Sequence, residues 1–347
     1  MRTVFFPLLL LLVSITAIAA DDLVLSPLPL PNGAGGIGFD DLGFARSMHR
    51  ILAPAGRTGN LDLIDPDTLK ITAIGGFSTG DTFGGGHGEG VTSADEGRGL
   101  LFATDRTSKR LNVIDPKTLK IVQWVPLAAG PDYVRFVPDT SEIWVTQPHA
   151  AQIEVFSLPA GDAPKPSHTM TIPVSGGPES LVIDSARGRA YTNTFGDWTI
   201  AIDLKTHKEA ARWKNGCSGR LKNLWHGSRG LAIDDQHGFA FVGCDEGKVS
   251  VLDLKDGKRL GEASSGSGVD IVAYNPTLAH VYLPGEESAT MAIIAISPEG
   301  KPSVLSTVKT ADGAHCVIAD DRNNVYVCDP TAGRLLILKD SGAPQLK

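Results

Sequence analysis

The chain has 347 residues, of which 39 are glycine and 22 are proline. Its formal net charge of −7, without any basic cluster, argues against nucleic acid or an anionic membrane surface as the natural partner. The many glycines and prolines, with few apolar residues at helical spacing, favour short strands joined by turns over long helices.

The amino-terminal segment has the parts of a secretory signal peptide. Arg2 precedes an apolar run from Val4 to about Ile15, and small residues follow up to Ala19. This run is too short to span a bilayer, and no later segment is apolar enough to do so. We therefore predict a signal peptide at 1–19 and a mature chain at 20–347 that is exported to the periplasm or secreted and has no membrane span.

One pattern then repeats along the chain. IDPDTLKI at 64–71 returns as IDPKTLKI at 114–121, and weaker copies begin at Ile202 and Leu252. Each unit also has a short apolar strand centred on one large residue. In chain order these are Ile51, Phe102, Trp144, Tyr191, Phe241, Tyr282 and Tyr326. A period of about 40 to 50 residues with four short strands is typical of a propeller blade. Seven copies predict an all-β, seven-bladed β-propeller that folds as one domain.

The last unit is incomplete. It ends at LLILKDSG, 335–342, and leaves no room for a full fourth strand of its own. The segment LVLSPLPL at 23–30 is predicted to supply that strand and to close the ring. The alternative for these proline-interrupted residues is a mobile tail.

The repeat resembles a known family. The strands VYVC, IWVT and AYTN, with the DPxT turns, are similar to those of the YVTN-repeat, YncE-like seven-bladed propellers over essentially the whole mature chain. The resemblance implies an exported propeller related in shape to the quinoprotein amine dehydrogenase β chain, in a family of mostly binding or scaffold proteins. Insertions at 164–169 and 214–225 depart from the tidiest members and favour a particular ligand site.

The topology predicts a charged site at one end of the central channel. Strands in a blade are antiparallel, so the start of each first strand and the end of each second strand reach the same face. Residues about twelve positions before each large strand residue therefore converge there. This set comprises Glu89, Asp132, Glu179, Arg229, Asp270 and His315. Crowding and burial are expected to shift the pKa values of these groups. The alternative is a structural role, because a wet channel keeps polar residues in any case.

Histidines on the same face raise the possibility of a divalent metal ion as cofactor. His149 and His226 are expected there, and the glycine-rich turn FGGGHGEG at 83–90 is expected to deliver His87 together with Glu89. The expected metal ligands are His87, Glu89, Glu179, Asp270 and His315. The metal prediction depends on convergence alone, since no local motif such as H-x-x-x-H is present. Tyr133 and Trp225 are expected by the entry loops, where they can stack on a sugar or other planar ligand; the alternative for Trp225 is a covering role.

The four cysteines are predicted to form two disulfides, because an even number in an oxidising compartment usually pairs. A tight turn sets Cys316 opposite Cys328, and this pair can bridge if it is a non-hydrogen-bonded pair of the ladder. Cys217 and Cys244 are expected on one face and can form the other bridge. In the alternative, Cys316 and Cys328 stay reduced and join His315 as ligands of a soft metal.

Two functions fit these residues. The first is an exported, monomeric propeller that binds a small polar ligand or a partner protein at the charged end of its channel. The alternative is a metal-dependent hydrolase, lactonase or lyase that uses the same face. A quinoprotein-type redox role is disfavoured, because no cofactor-forming signature is present. The sequence does not choose between an enzyme and a binding protein.

Overall fold

A computed structural model describes residues 23, 25–161, 163–218 and 227–342. These residues form seven four-stranded antiparallel sheets, which confirms the predicted all-β, seven-bladed propeller. Within the described ranges, no helix is long and apolar enough to cross a membrane. The predicted signal peptide at 1–19 lies outside the described residues, as do Trp225 and His226.

The blades follow one another in chain order. Blade 1 contains β2 (Gly43–Ala45), β3 (Arg50–Pro54), β4 (Thr58–Ile64) and β5 (Ile71–Thr79); blade 2 contains β6 (Val91–Gly97), β7 (Leu100–Asp105), β8 (Arg110–Asp115) and β9 (Lys120–Pro126); blade 3 contains β10 (Val134–Val137), β11 (Glu142–Gln147), β12 (Gln152–Ser157) and β13 (Ser167–Pro173). Blade 4 contains β14 (Val182–Asp184), β15 (Arg189–Asn193), β16 (Trp198–Asp203) and β17 (Glu209–Lys214); blade 5 contains β18 (Ser228–Asp234), β19 (Phe239–Cys244), β20 (Lys248–Asp253) and β21 (Arg259–Ser264); blade 6 contains β22 (Ala273–Asn275), β23 (His280–Gly285), β24 (Thr290–Ile296) and β25 (Pro302–Lys309). Blade 7 contains β26 (Val317–Ala319), β27 (Asn324–Asp329) and β28 (Arg334–Lys339), with β1 (Ser26–Pro29) as its outer strand. A 3-10 turn, Pro148–Ala150, follows β11.

The amino-terminal strand closes the ring, as predicted. β1 pairs antiparallel with β28, so that Ser26 lies opposite Ile337 and Pro29 lies opposite Arg334. The next residue, Leu30, is buried in the same hydrophobic cluster as the strands of blades 6, 7 and 1. The innermost strands of neighbouring blades contact one another around the whole circle, including β26 with β2.

Large apolar residues of the second strands pack between the blades. Phe102, Trp144, Tyr191, Phe241, Tyr282 and Tyr326 are all essentially inaccessible to solvent. The outer strands β9 and β13 are largely exposed. The core is therefore a series of interfaces between adjacent sheets, and the polar loops at the channel end rest on a rigid frame.

Two kinds of turn recur with the blades. In the DPxT turn, the carboxylates of Asp65 and Asp203 each accept hydrogen bonds from backbone N–H groups two and three residues further on. The turn that joins the first and second strands of each blade ends in a residue with positive φ. These residues are His49, Gly99, Ser141, Gly188, Gly238, Ala279 and Asn323, with φ from 52° to 78°.

One of the two predicted disulfides is present and the other is not. Cys217 and Cys244 form a disulfide, as predicted, with 5.2 Å between their α carbons. Cys316 and Cys328 are both free thiols. They lie opposite each other as predicted, but the Cys328 N–H donates to the Cys316 carbonyl oxygen at 3.1 Å. The predicted Cys316–Cys328 disulfide is therefore wrong. The backbone bond that joins the two residues is one of the two bonds of a hydrogen-bonded pair, which is the wider type, and the Cys316 N–H donates to the Cys328 sulfur instead of forming the second.

Candidate functional site

A cavity of about 380 Å³ lies at one end of the channel, where loops from several blades meet. We call it the mouth cavity. Its ionisable lining residues are Asp40, His87, Arg106, Asp132, His149, Glu179, Arg229 and Asp270. Tyr133 and Phe195 add aromatic wall. Most of these side chains lie in the loop before a first strand or just after a second strand, where the topology of a blade brings loops to one face.

Four of the six residues predicted for the channel end share this cavity: Asp132, Glu179, Arg229 and Asp270. Glu89 instead lines a neighbouring cavity together with Arg57 and Phe83. Gly85, Gly86 and Gly90 have positive φ and bend the loop on both sides of His87 and Glu89, so these two residues face different spaces. His87 therefore takes the place in the mouth cavity that the sequence pattern gave to Glu89.

His315 lies beneath the wall rather than in it. Its side chain is buried, and its ring centroid is 5.5 Å from that of His87. Nδ1 lies 2.6 Å from the carbonyl oxygen of Gly313, and Nε2 lies 3.0 Å from that of Phe39. A carbonyl oxygen only accepts, so both ring nitrogens donate and the imidazole is protonated. Burial lowers the pKa of His315, but Cys328, the charge of Asp270 and the bond to Gly313 outweigh it and hold that pKa well above its usual value.

An arginine ties three loops together on one side of the mouth cavity. The Arg106 guanidinium donates to Asp40 at 2.7 Å, to Asp132 at 2.5 Å and to the carbonyl oxygen of Pro131 at 2.8 Å. His87 Nδ1 lies 3.1 Å from the same oxygen of Asp40. Burial raises the pKa of Asp40, but His87 and Arg106 outweigh it and lower that pKa to about 2. Asp40 is therefore a fixed negative charge between two positive groups.

Sequence reasoning missed Asp40. The pattern that gave the other residues counts twelve positions back from the large strand residue, which for Ile51 gives Phe39. Asp40 is one position further on, the same offset that His315 has in the last blade. The irregular first unit hid this signal.

Two carboxylates of the mouth cavity, Asp132 and Glu179, lie in crowded surroundings. Burial and the charge of Asp40 raise the pKa of Asp132 to about 7, although Arg106 opposes the shift. Burial and the charge of Asp132 raise the pKa of Glu179 well above its usual range, against the effect of Arg229. Both shifts mean that the site disfavours further negative charge at neutral pH.

Asp270 and Arg229 differ in how far they are paired. Arg229 donates to Glu179 at 2.6 Å, and its guanidinium lies 5.6 Å from the centre of the Phe195 ring. Among the residues that the structure describes, no group forms a hydrogen bond or an ion pair with the Asp270 carboxylate, which is partly exposed to the cavity. Asp270 is thus the carboxylate most available to a ligand.

The residues predicted as metal ligands are not gathered into one set. His87, Glu179 and Asp270 share the mouth cavity, whereas Glu89 and His315 do not. In the described ranges, ligand atoms of three such residues lie within 4.8 Å of one another only at His315, Cys316 and Cys328. This second group lies under the cavity and corresponds to the soft-metal alternative.

The fold and the mouth cavity together define a seven-bladed β-propeller with a charged pocket at one end of its channel. No family model and no curated protein matches the chain. Among solved structures, it is similar to a chain of a mitotic checkpoint complex, with a TM-score of 0.73 and 11% identity over 98% of this chain and 99% of that one. It is also similar to the Cps50 (Swd1) β-propeller domain of Myceliophteria thermophila, with a TM-score of 0.70 and 13% identity over 90% and 99% of the two chains.

A third similar structure is hydrazine synthase of Kuenenia stuttgartiensis, with a TM-score of 0.70 and 12% identity over 90% of this chain and 98% of that one. At such low identity these likenesses establish the seven-bladed fold alone, which agrees with the blade order above.

Proposed function

We propose that the protein is an exported propeller of the YVTN-repeat type that binds a small polar ligand with a cationic group in its mouth cavity. The observation that carries this proposal is the unpaired carboxylate of Asp270 beside Asp132 and Glu179, whose pKa values are both raised. A cation placed among these three groups favours their ionised forms and removes the repulsion between them.

The positive groups of the cavity support a cationic ligand, because they are already engaged. Arg106 is bound to Asp40 and Asp132, and Arg229 is bound to Glu179. An anion would have to break these ion pairs. A cation can instead contact Asp270, whose charge helps to raise the pKa of Arg229 but which forms no hydrogen bond or ion pair among the described residues. Tyr133 and Phe195 also line the cavity, and aromatic rings attract guanidinium and ammonium groups, as the positions of Arg135 and Arg229 at 5.1 and 5.6 Å from the two ring centres illustrate.

A partner protein can present the same chemistry. A lysine or arginine side chain from a partner carries the cationic group that the carboxylates favour, and the open end of the channel leaves room for the surrounding chain. One of the structural neighbours was solved as part of a complex, which supports a partner protein as the second kind of occupant. We expect the isolated propeller to be a monomer.

Export to the periplasm or beyond is part of the proposal. It is supported by the signal-peptide pattern at 1–19 and by the Cys217–Cys244 disulfide, because such bonds persist in oxidising compartments.

The metal-dependent hydrolase, lactonase or lyase remains the alternative for the same cavity. It is favoured by the presence of His87, Glu179 and Asp270 in one wall. It is disfavoured by their spacing, because in the part of the chain that is described these three do not form a group with ligand atoms within 4.8 Å. Binding without chemistry therefore fits the geometry better.

The proposal is tested with a panel of small ions against the purified protein. The cations are choline, ethanolamine, 1,4-diaminobutane, calcium and magnesium, and the anions are citrate and phosphate. We expect an organic cation to raise the melting temperature at pH 8. Asp270→Asn should weaken its binding about tenfold or more, since a charge-assisted contact is lost.

Asp312→Asn is the matched control, because Asp312 is an exposed carboxylate in the loop before β26 and does not line the cavity. Its affinity should equal that of the wild type. Binding of the anions but not of the cations, or equal binding by Asp270→Asn, would contradict the proposal. Binding of calcium or magnesium alone, lost in Asp270→Asn, would favour the metal-dependent alternative.

A further inference from the structure

Two thiols and an imidazole meet under the wall of the mouth cavity. One ligand atom each from His315, Cys316 and Cys328 lies within 4.8 Å of the other two. Both cysteines are completely buried, and 4% of His315 is exposed. No contact with the proposed ligand uses these sulfurs, so the group calls for an explanation of its own.

The Cys328 sulfur is surrounded by hydrogen-bond donors. The backbone N–H of Cys316 points at it from 3.1 Å, and that of His315 points at it from 3.4 Å. In this strand pair, the N–H of Cys316 bonds to sulfur rather than to the opposite carbonyl oxygen. Backbone N–H groups often donate to the sulfur of metal-bound cysteines, where they stabilise the negative charge of the thiolate.

The imidazole is oriented as a ligand. Nε2 is held by the carbonyl oxygen of Phe39 at 3.0 Å, which fixes the plane of the ring. The other nitrogen, Nδ1, then lies on the side of the sulfurs, 4.0 Å from Cys328 Sγ. Without an ion, Nδ1 donates to the carbonyl oxygen of Gly313 at 2.6 Å. An ion would replace this proton and its bond, and would leave the usual arrangement of a metal-binding histidine, in which one nitrogen donates to a backbone carbonyl and the other binds the ion.

A structural disulfide does not account for the two cysteines, because they occupy a hydrogen-bonded pair of the ladder and remain free thiols. The Cys217–Cys244 bridge is a contrast within the same chain. A reduced pair next to a histidine needs protection in an oxidising compartment, and a bound ion supplies it.

We propose that His315, Cys316 and Cys328 bind one soft metal ion, copper(I) or zinc, through two sulfurs and Nδ1. Thiolate with imidazole is the donor set that these ions prefer over calcium or magnesium. The ion takes the place of the protons on the thiols and on Nδ1, so no oxidant or reductant is consumed.

The surroundings suit a site that holds its ion firmly. Cys316 and Cys328 belong to a hydrophobic cluster that includes Phe39 and Met291. The ring of His87, which lines the mouth cavity, lies 5.5 Å from the ring of His315 at a tilt of 40°, so the mouth cavity is separated from the site by one side chain.

The experiment starts from purified protein that has been reduced mildly, stripped with a chelator and kept under nitrogen. Copper(I), and separately zinc, is added in excess and the unbound ion is removed by gel filtration. We expect one ion per chain for at least one metal. X-ray absorption should show two sulfur ligands, at about 2.3 Å if the ion is zinc.

The variants Cys316→Ser and Cys328→Ser, together in one chain, should lower the affinity about 100-fold or more, because both thiolates are lost. Met291→Leu is the matched control: it removes another buried sulfur from the same cluster at similar volume and should keep one ion. If the serine variant does not fold, the number of sulfur ligands in the X-ray absorption spectrum of the wild type tests the proposal without it.

Retention of neither ion by the wild type would overturn the proposal. So would a bound ion without sulfur ligands, or a folded double serine variant that binds as the wild type does.

Discussion

Asp62 is a buried acid without a hydrogen-bond partner among the described residues. It lies in the middle of β4 and is completely buried. Neither oxygen of its carboxyl group has a hydrogen-bond partner among the described residues. Burial raises the pKa of Asp62 from 3.8 to about 7. The folded protein therefore keeps this proton up to near-neutral pH, whereas the unfolded chain loses it near pH 4.

This difference predicts a pH-dependent effect of Asp62→Asn. The raised pKa stabilises the fold fully below about pH 4, and that contribution is lost as pH rises to about 7. The neutral variant escapes the loss. The free energy of unfolding of the variant minus that of the wild type should be larger at pH 8 than at pH 4, by on the order of 3 kcal/mol, because the variant is relatively more stable at pH 8. Urea denaturation at both pH values measures this.

Asp139→Asn is the control for that experiment, because Asp139 is exposed in a turn. It should differ little from the wild type at either pH. The same difference for Asp62→Asn at pH 4 and pH 8 would show that the Asp62 carboxyl does not titrate as described.

The oxidation state of the cysteines can be counted directly. Under denaturing and non-reducing conditions, thiol titration should find two thiols per chain, those of Cys316 and Cys328. After reduction it should find four, since the Cys217–Cys244 bridge opens. A count near zero before reduction would restore the second disulfide expected from the sequence.

The turn between the first and second strands of each blade requires the left-handed backbone conformation at its last residue. Blade 4 uses Gly188 with φ 61°, and blade 6 uses Ala279 with φ 53°. A Cβ added to Gly188 meets no atom within 4 Å, so a substitution there changes the backbone preference without a clash. The two blades therefore offer opposite versions of the same substitution.

Gly188→Ala should lower the free energy of unfolding by about 1 kcal/mol, because an L-residue with a side chain disfavours this conformation. Ala279→Gly should raise it by about 0.5 kcal/mol or more, since the same strain is relieved. Both are measured by urea denaturation against the wild type. Shifts of the same sign would mean that the turn conformation is not what controls stability there.

The elements also show what the sequence can and cannot predict. Strand positions follow from local repeats. The repeat therefore predicts the six large buried residues of the second strands, of which Phe102 is the first and Tyr326 the last. The direction of a side chain in an irregular loop does not follow from a repeat, and Glu89 consequently faces another cavity than His87. Whether Cys316 and Cys328 form a hydrogen-bonded pair depends on the parity of the ladder, which opposition alone does not give.

At the scale of the whole molecule, β1 determines whether the ring is closed. Removal of residues up to Leu30 exposes the outer edge of β28 and uncovers apolar surface of the cluster between blades 6, 7 and 1. The loss of the buried Leu30 and the half-buried Leu28 should cost about 3 kcal/mol or more, seen as a lower unfolding midpoint in urea. Ser26→Ala, at an exposed position of β1, is the control and should leave the midpoint unchanged. An unchanged midpoint in the truncated chain would contradict the role of β1.

The pairing of Ser26 with Ile337 also orders events in time. Blades 1 to 6 are built from neighbouring hairpins, so each of them forms from a continuous stretch of chain. Blade 7 joins the first ordered strand to the last one, and this contact carries the largest loop-closure entropy in the fold. β1 therefore stays unpaired during synthesis until β28, close to the end of the chain, has been made. The ring can therefore close only when the polypeptide extends through β28. A product that stops before β28 keeps an open sheet edge that chaperones and proteases can recognise.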